Sequence, residues 1–301
     1  MNLIDALAGN YSAQSPVELS LSSLFSRQYS SLHDAVDNFF VPSSLEKVQE
    51  ERHAYQQIRM RIVAQHCPEP VQRNYYLFAL DTTGQPRPFA RTLADRAIHH
   101  HSDPAPGNKP IMVGHNYSVL AQLPEKEDRT STPWIIPLLI RRVPTDMKAI
   151  EVGVTQLADI LHDETLPFGN NLSVLVADSS YSARGFLAKE VKHKNLVTLV
   201  RVAGNRKFYR IPKPDDSPKG KGHPLWYGEA FDLIDPSTWG VPDATQTLPI
   251  TLRNGRQCQV QILAWYNLLM TGKHDIPMHE YPFTLIRITV TDSDGKAVFQ
   301  P

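Results

Sequence analysis

The chain has 301 residues, of which 41% are hydrophobic and 21% charged, and its 31 basic and 31 acidic side chains give a formal net charge of zero. This composition predicts a globular protein with one large core or two domains, and it excludes intrinsic disorder. The sequence contains no apolar run of about 18 residues and no secretory signal, so we expect no membrane span and a cytoplasmic location. The two cysteines, Cys67 and Cys258, lack the spacing of a zinc site and predict reduced thiols.

The first part of the chain, residues 1–73, is predicted to be helical. Apolar residues recur there at steps of three and four, as in Leu21, Leu24, Phe25, Leu32, Val36 and Phe39. Pro42 interrupts this pattern, and Ser43 with Glu46 fits a capping box that begins a second helix, which continues to about Ala64.

Residues 74–205 change to alternating strands and helices. The predicted order is three strands (75–81, 110–122, 133–143), an amphipathic helix (Met147, Ile150, Val154, Leu157, Leu161), a strand (172–178), a helix (182–193) and a strand (196–202). An antiparallel meander followed by alternating helices and strands predicts an α/β fold, with a mixed sheet and helices on its faces.

Residues 206–301 are predicted to form a separate β-rich region. The segments 247–252, 259–265 and 283–290 alternate or run apolar. Arg253-Asn254-Gly255 is a hairpin signal between the first two segments. We therefore expect a sheet here that is distinct from the mixed sheet.

Two aspartates follow apolar runs and are the main candidate site residues. Asp81 ends the run Tyr75 to Leu80, and Asp178 ends the run Leu172 to Ala177. If these strands are neighbours, the two carboxylates could hold the same divalent cations, as in two-metal phosphodiester chemistry. The alternative is that each Asp only caps a turn or a helix.

A basic stretch follows Asp178. Residues 184–222 contain eleven basic and three acidic residues, a local balance of 11 − 3 = +8. Phe208, Tyr209, Trp226 and Tyr227 are interleaved with or follow this stretch, which is typical of phosphate contact combined with base stacking. The alternative is a solvated helix face followed by a loop. The predicted DNA-binding residues are Arg184, Lys189, Arg201, Arg206, Lys207 and Arg210.

Several separated segments resemble one group of DDE transposases from bacterial insertion sequences. The segments 76–119 and 176–181 resemble the regions of the first and second catalytic aspartates. The segments 226–233 and 264–285 resemble the β-rich insertion of these enzymes. The resemblance covers nearly the whole chain and is weakest in the first seventy residues.

This resemblance implies a ribonuclease H-like fold that carries out metal-dependent DNA cleavage and strand transfer. Asp81 and Asp178 would ligate Mg²⁺ or Mn²⁺, and the partners would be transposon ends and target DNA. A homodimer is compatible with this assignment. The expected domains are a helical region (1–73), a partial catalytic core (74–205) and an insertion-like domain (206–301).

The third catalytic acid of these enzymes is a Glu on a helix that follows the insertion, and no matching segment is present in the sequence. The expectation is a transposase truncated before this acid, so whether the chain is itself an active enzyme stays open. The other reading is a non-catalytic DNA-binding remnant. Glu151, Glu229 and Glu280 are not expected to replace the missing acid.

Other kinds of site have less support. The cluster His99-His100-His101, with Asp103 and His115, contains zinc-ligand types. Consecutive residues on a strand point to opposite faces, however, and residues in a Pro/Gly-rich loop are usually only exposed. No nucleophile elbow and no Gly-rich phosphate loop occurs in the sequence.

Overall fold

The computed structural model describes residues 2–10, 12–13, 16–32, 34, 45–105, 109–126, 134–190, 192–213, 225–252 and 254–299. The chain divides into two compact units, Met1–Arg59 and Met60–Pro301. The three-part division expected from the sequence stays a prediction.

The first unit contains α1 (Asn2–Gly9), α2 (Pro16–Ser20) and the beginning of α3 (Leu45–Gln65). Its small core consists of Ala6, Leu19, Phe25 and Leu32. The helix predicted through Leu21 and Leu24 is wrong in its first part, because residues 21–28 form turns and bends and both leucines are exposed. Serine side chains compete with helical hydrogen bonds here, since Ser22 Oγ accepts from the Leu24 amide. Val36, Phe39 and Ser43 lie outside the described residues.

The second unit is built on a six-stranded mixed sheet. Its strands are β1 (Tyr76–Pro86), β2 (Ala97–Ala105), β3 (Lys109–Gln122), β4 (Ile136–Val143), β5 (Ser173–Ala177) and β6 (Leu196–Val200). The order across the sheet is β2-β3-β1-β5-β6, and β4 also pairs with β3. β3 is antiparallel to β1, β2 and β4, whereas β1, β5 and β6 run parallel to one another. The mixed sheet expected from the sequence is confirmed, and β2 is an additional strand.

One face of this sheet packs against helices. α4 (Ala149–Leu161) buries Val152, Leu157 and Ile160. Leu157 and Ile160 share a core with Phe78 and Leu80 of β1. The Met147 to Leu161 periodicity predicted this helix correctly. α4 approaches β1 most closely at Gly153, where an added Cβ would lie 2.8 Å from Leu80 Cδ2. The last turn of α3 adds Met60 and Ala64 to this core, and α5 (Arg184–Glu190) adds Phe186.

The region that follows β6 is mainly β structure, as predicted. β7 (Lys207–Tyr209) pairs with β8 (Ala230–Asp232). β9 (Ala244–Thr251), β10 (Gln257–Leu268), β11 (Phe283–Asp292) and β12 (Ala297–Phe299) form a separate antiparallel sheet. β9 and β10 form the predicted hairpin, in which Gly255 has a φ of +80°. A second core lies in this region and contains Phe208, Phe231, Trp265, Leu268, Met270 and Met278.

Candidate active site

Asp81 lies within β1 and not at its end. The strand was expected to stop at this residue, but it continues to Pro86 because β3 pairs with it along the whole segment. Phe78 and Leu80 are buried and alternate with more exposed neighbours, and Asp81 is exposed. Because consecutive strand residues point to opposite faces, Asp81 lies on the face opposite Leu80 and the α4 core.

Asp178 follows the last residue of β5 and begins a short 3-10 helix, Ser179–Ser182. Its backbone stays extended, with φ −76° and ψ −174°. Asp178 Oδ1 accepts hydrogen bonds from the amide and the hydroxyl of Ser180. The capping role considered from the sequence is therefore confirmed for Asp178. The residue is nevertheless exposed, at the end of β5.

The strand register places the two aspartates side by side. β1 and β5 are parallel and adjacent, and Leu80 pairs with Ala177 as their last pair. Asp81 and Asp178 are the next residue on each strand. Neighbouring strands lie about 4.8 Å apart, and residues at the same level of a parallel pair point to the same face. The two carboxylates therefore lie side by side on the same face of the sheet.

Tyr181 lies close to both aspartates and is fully buried. Burial raises the pKa of Tyr181 to about 12; the nearby Ser118 hydroxyl lowers it, and the charges of Asp81 and Asp178 raise it. The influence of both carboxylates on one phenol agrees with their adjacent register positions. Tyr181 also packs edge-on against Phe186, with the ring centroids 5.1 Å apart.

A buried hydrogen-bond network joins α4 to the mixed sheet close to Asp81. Ser118 of β3 pairs with Thr82, the neighbour of Asp81. Ser118 Oγ donates to Gln156 Oε1 of α4 at 2.6 Å, and Gln156 Nε2 donates to the carbonyls of Ser118 and Leu139, each at 3.1 Å. These bonds tie α4 to β3 and β4. The sequence analysis missed this network, because no local pattern indicates a Ser–Gln pair separated by 38 residues.

The oxygen atoms of the two carboxylates fit a hard divalent cation. Asp81 Oδ1 accepts from the Thr82 amide at 2.7 Å, and Asp178 Oδ1 is held by Ser180. The Oδ2 atom of each aspartate makes no hydrogen bond with any described residue. In the described part of the chain, however, no group of three or more His, Cys, Asp or Glu residues is arranged to hold a metal ion. Two carboxylates would make up only part of a ligand set for such a cation.

Four of the six predicted DNA-binding residues contact the protein itself. Arg184 donates to the carbonyls of Thr271 and Gly272, and Arg206 donates to Ser182 Oγ at 2.9 Å. Lys207 forms an ion pair with Asp232 at 3.4 Å. Arg210 donates to the Trp239 carbonyl and lies over the Phe231 ring. These contacts stabilise the β-rich region and its attachment to α5.

The other two predicted residues, Lys189 and Arg201, are exposed, and their side chains form no hydrogen bond or ion pair with the described residues. Lys189 lies on α5 and Arg201 directly follows β6. The remainder of the basic stretch, residues 214–222, lies outside the described residues. The DNA-binding assignment of all six residues stays a prediction.

The aromatic residues near the basic stretch differ in their surroundings. Phe208 is fully buried in the second core, so its expected role in base stacking is wrong. Tyr209 and Tyr227 pack against each other with centroids 5.1 Å apart. Trp226 is 46% exposed and stacks on His279 at 4.5 Å, with the two rings nearly parallel.

The other acidic candidates have structural surroundings. Glu151 Oε2 accepts from the Lys148 amide at 2.9 Å and caps α4. Glu229 forms an exposed ion pair with Lys213 at 3.1 Å. Glu280 ends a 3-10 turn, Met278–Glu280. The expectation that Glu151 is a helix surface residue is confirmed.

The histidine cluster lies in a strand, which is one of the two settings considered from the sequence. His99, His100 and His101 lie in β2, which pairs with the first half of β3. His115 Nε2 donates to the Ala94 carbonyl at 2.9 Å. Among the described side chains, His99 and His115 belong to no group of three or more His, Cys, Asp or Glu residues that could hold a metal ion.

Two carboxylates at adjacent positions on the parallel strands of a mixed sheet are an arrangement that suits enzymes which cleave nucleic acids with divalent cations. The family model described as DDE superfamily endonuclease matches residues 2–272 of this chain. The chain therefore belongs to the DDE superfamily endonuclease family. The comparison with curated proteins gives no match.

Membership of this family confirms the ribonuclease H-like α/β fold that was expected from the sequence. It also identifies the protein as a nuclease or transposase type that acts on DNA. Within the described residues, no helix is both long enough and apolar enough to span a bilayer.

Proposed function

We propose that this protein is a DDE transposase of the insertion-sequence type, which cuts DNA at transposon ends and joins them to target DNA. The observation that carries the proposal is the register of β1 and β5, which places Asp81 beside Asp178. Family membership supports DNA as the substrate.

In this proposal Asp81 and Asp178 bind Mg²⁺ or Mn²⁺. When bound, such cations activate the attacking oxygen and stabilise the leaving oxygen of a phosphodiester. The chain's own residues hold and orient the two ligands. The Thr82 amide fixes Asp81 Oδ1 and Ser180 fixes Asp178 Oδ1, whereas neither Oδ2 makes a hydrogen bond with the described residues.

Metal binding is the first test of this proposal. Titration calorimetry with Mn²⁺ should show binding to the wild-type chain and a loss of affinity of at least about tenfold in Asp81→Ala and in Asp178→Ala. Asp146→Ala is the matched control, because Asp146 is exposed and has no partner among the described residues. Equal Mn²⁺ affinity in all four proteins would contradict the proposal.

A second candidate function is DNA binding without cleavage. It is favoured by the finding that no third metal-ligating side chain joins the two aspartates in the described part of the chain. The resemblance requires a third acid, a Glu, and loss of one carboxylate weakens both cation affinity and geometry.

A nicking assay separates the two functions. The 301-residue chain is incubated with supercoiled plasmid and Mg²⁺ or Mn²⁺, and binding is measured in parallel over a salt series. Non-catalytic binding predicts retention of the DNA, with affinity that falls steeply as salt increases, and no nicking. Nicking by the wild-type chain that is absent in Asp81→Ala would instead show that another acid completes the site.

A further inference from the structure

Arg201 occupies the position beside Asp178 on the next strand. β5 and β6 are parallel, and Ala177 pairs with Val200 as their last pair. Asp178 and Arg201 are the next residues, and the Arg201 amide donates to the Ala177 carbonyl at 3.1 Å. Asp81 within β1, Asp178 directly after β5 and Arg201 directly after β6 therefore form one row across three neighbouring parallel strands.

The three side chains of this row lie on the same face. Leu80, which precedes Asp81, belongs to the α4 core. Ala177 and Val200, which precede Asp178 and Arg201, pack against this core. Because side chains alternate along a strand, the residue that follows each of them faces away from that core. All three members of the row are exposed.

Arg201 is not used to stabilise the protein in the described part of the chain. It forms no ion pair with Asp178 and no hydrogen bond through its guanidinium group. This distinguishes it from Arg184, Arg206 and Arg210, whose guanidinium groups donate to protein oxygens. An unpaired guanidinium at the level of two carboxylates leaves both kinds of charge available to a ligand.

We propose that Arg201 binds the phosphate group of DNA that is held at the Asp81–Asp178 site, and so positions the phosphodiester for reaction. This inference rests on the proposed function. With cations held by the two carboxylates, a phosphodiester would be attracted to both parts of the row, and the planar guanidinium of Arg201 could donate two hydrogen bonds to its phosphate. Arg201 is thus a specific contact and not one of many cations on a general DNA surface.

The proposal predicts effects of opposite sign on two binding equilibria. Without DNA, Arg201 repels cations at the site. In water, a divalent cation and a guanidinium about 8 Å apart repel each other enough to change a binding constant about fivefold. Arg201→Gln should therefore bind Mn²⁺ a few-fold more tightly than the wild-type chain. With DNA, the same variant should lose most of the increase in duplex affinity that Mn²⁺ produces.

Lys194 provides a matched control for the loss of one positive charge. It is exposed, has no partner among the described residues, and precedes β6, whereas Arg201 follows it. The length of the strand separates the two positions by roughly 16 Å or more. Lys194→Gln should leave both Mn²⁺ affinity and the Mn²⁺-dependent gain in DNA affinity unchanged. Arg201→Lys should keep the repulsion of Mn²⁺ but lose part of the gain, because it lacks the two-donor fork.

The experiment combines Mn²⁺ calorimetry with fluorescence anisotropy on a labelled duplex, with and without Mn²⁺. Unchanged Mn²⁺ affinity and an unchanged Mn²⁺-dependent gain in Arg201→Gln would overturn the inference, while losses in Asp81→Ala and Asp178→Ala would leave the proposed function standing. Equal effects of Arg201→Gln and Lys194→Gln would also overturn it. A wild-type chain that binds no Mn²⁺ would overturn both the proposed function and the inference.

Discussion

The mixed sheet and the β-rich region of the second unit differ in how their charged side chains are matched. In the β-rich region, Arg210 and Lys207 contact the Trp239 carbonyl and Asp232, and Arg256 pairs with Asp292. The Lys296 amide and Arg256 hold the pKa of Asp292 below its usual range, although burial acts in the opposite direction. These charges stabilise the fold of the region that contains them.

In the mixed sheet, by contrast, the row of Asp81, Asp178 and Arg201 contains no ion pair among the described residues. Asp81 and Asp178 are two like charges at adjacent positions, and Arg201 beside them has no ion pair among the described residues. Like charges placed side by side reduce stability, and their retention at one sheet edge is typical of a functional site. The two regions show that a charged side chain with a partner in the protein is a structural residue, whereas one without such a partner is a candidate for binding a ligand, whatever the sign of its charge.

The largest expected effect is a loss of stability caused by a cavity in the second core. Phe231 is fully buried between Trp239, Trp265 and the Arg210 guanidinium. Phe231→Ala should lower the free energy of unfolding by about 3–5 kcal/mol. Ile234→Ala is the control, because Ile234 is 69% exposed, and it should change stability by less than about 0.5 kcal/mol. Urea unfolding followed by tryptophan fluorescence measures both, and equal values would contradict a tightly packed second core.

A buried carboxyl group in the mixed-sheet region gives the next effect. Glu190 of α5 is 1% exposed, and its carboxyl oxygens have no hydrogen-bond partner among the described residues. Burial raises the pKa of Glu190 to about 7, against a smaller lowering effect of Lys189. The folded state therefore holds a proton that the unfolded state releases, so stability should fall as pH rises from about 4.5 to 7.

Glu190→Gln should remove this pH dependence. The variant should be more stable than the wild-type chain by about 3.5 kcal/mol above pH 7, since each pKa unit corresponds to ~1.4 kcal/mol, and the two should converge near pH 4.5. Glu164→Gln, at an exposed position, should not change the pH profile. Urea unfolding between pH 4.5 and 8 measures the difference, and parallel profiles of Glu190→Gln and wild type would contradict the raised pKa.

Two glycines test how closely α4 approaches the strand that carries Asp81. A Cβ on Gly153 would lie 2.8 Å from Leu80 Cδ2 and 3.3 Å from Tyr181 Cε1. Gly153→Ala should destabilise the protein by about 1–3 kcal/mol, because the helix or strand must move. Gly185 in α5 has no atom within 4 Å of an added Cβ, so Gly185→Ala should be neutral or stabilising by up to ~1 kcal/mol. Thermal unfolding of both variants with the same sign would contradict the close approach.

The smallest expected effect concerns one of the matched charges. The Lys207–Asp232 ion pair is 3.4 Å long, and the Lys207 side chain is 51% exposed. Lys207→Gln should therefore change stability by less than about 1 kcal/mol, and this effect should disappear at high salt. It should not change the Mn²⁺-dependent gain in duplex affinity, in contrast to Arg201→Gln. A loss of this gain would mean that Lys207 also contacts DNA near the aspartates.

The sequence predicted the elements of the mixed sheet well where apolar periodicity is local. β3, β4, α4 and β5 fall within a few residues of their expected positions. β2 was missed, because His99-His100-His101 followed by Ser, Asp and Pro does not resemble a strand. Its pairing with β3 overrides the local preference, since a paired neighbour satisfies the backbone hydrogen bonds.

The candidate site was only partly predictable, because the sequence shows local apolar runs but not which strands pair. The position of Asp81 and Asp178 after apolar runs is visible in the sequence, but their adjacent register is a consequence of β1 and β5 pairing across 97 residues. The sequence also shows eleven basic residues without showing which of them contact protein oxygens. Arg184 and Arg201 are equivalent as charges, and only the fold separates them.

The position of β6 has a consequence for the behaviour of the protein at high concentration. β6 ends the sheet, and no described strand pairs with its other edge. Val197 and Leu199 are 46% and 47% exposed on this strand. An exposed apolar edge can add a strand from another molecule, and flanking charges oppose such aggregation. Lys194 and Arg201 bracket β6, so salt that screens these two charges should favour aggregation through this edge.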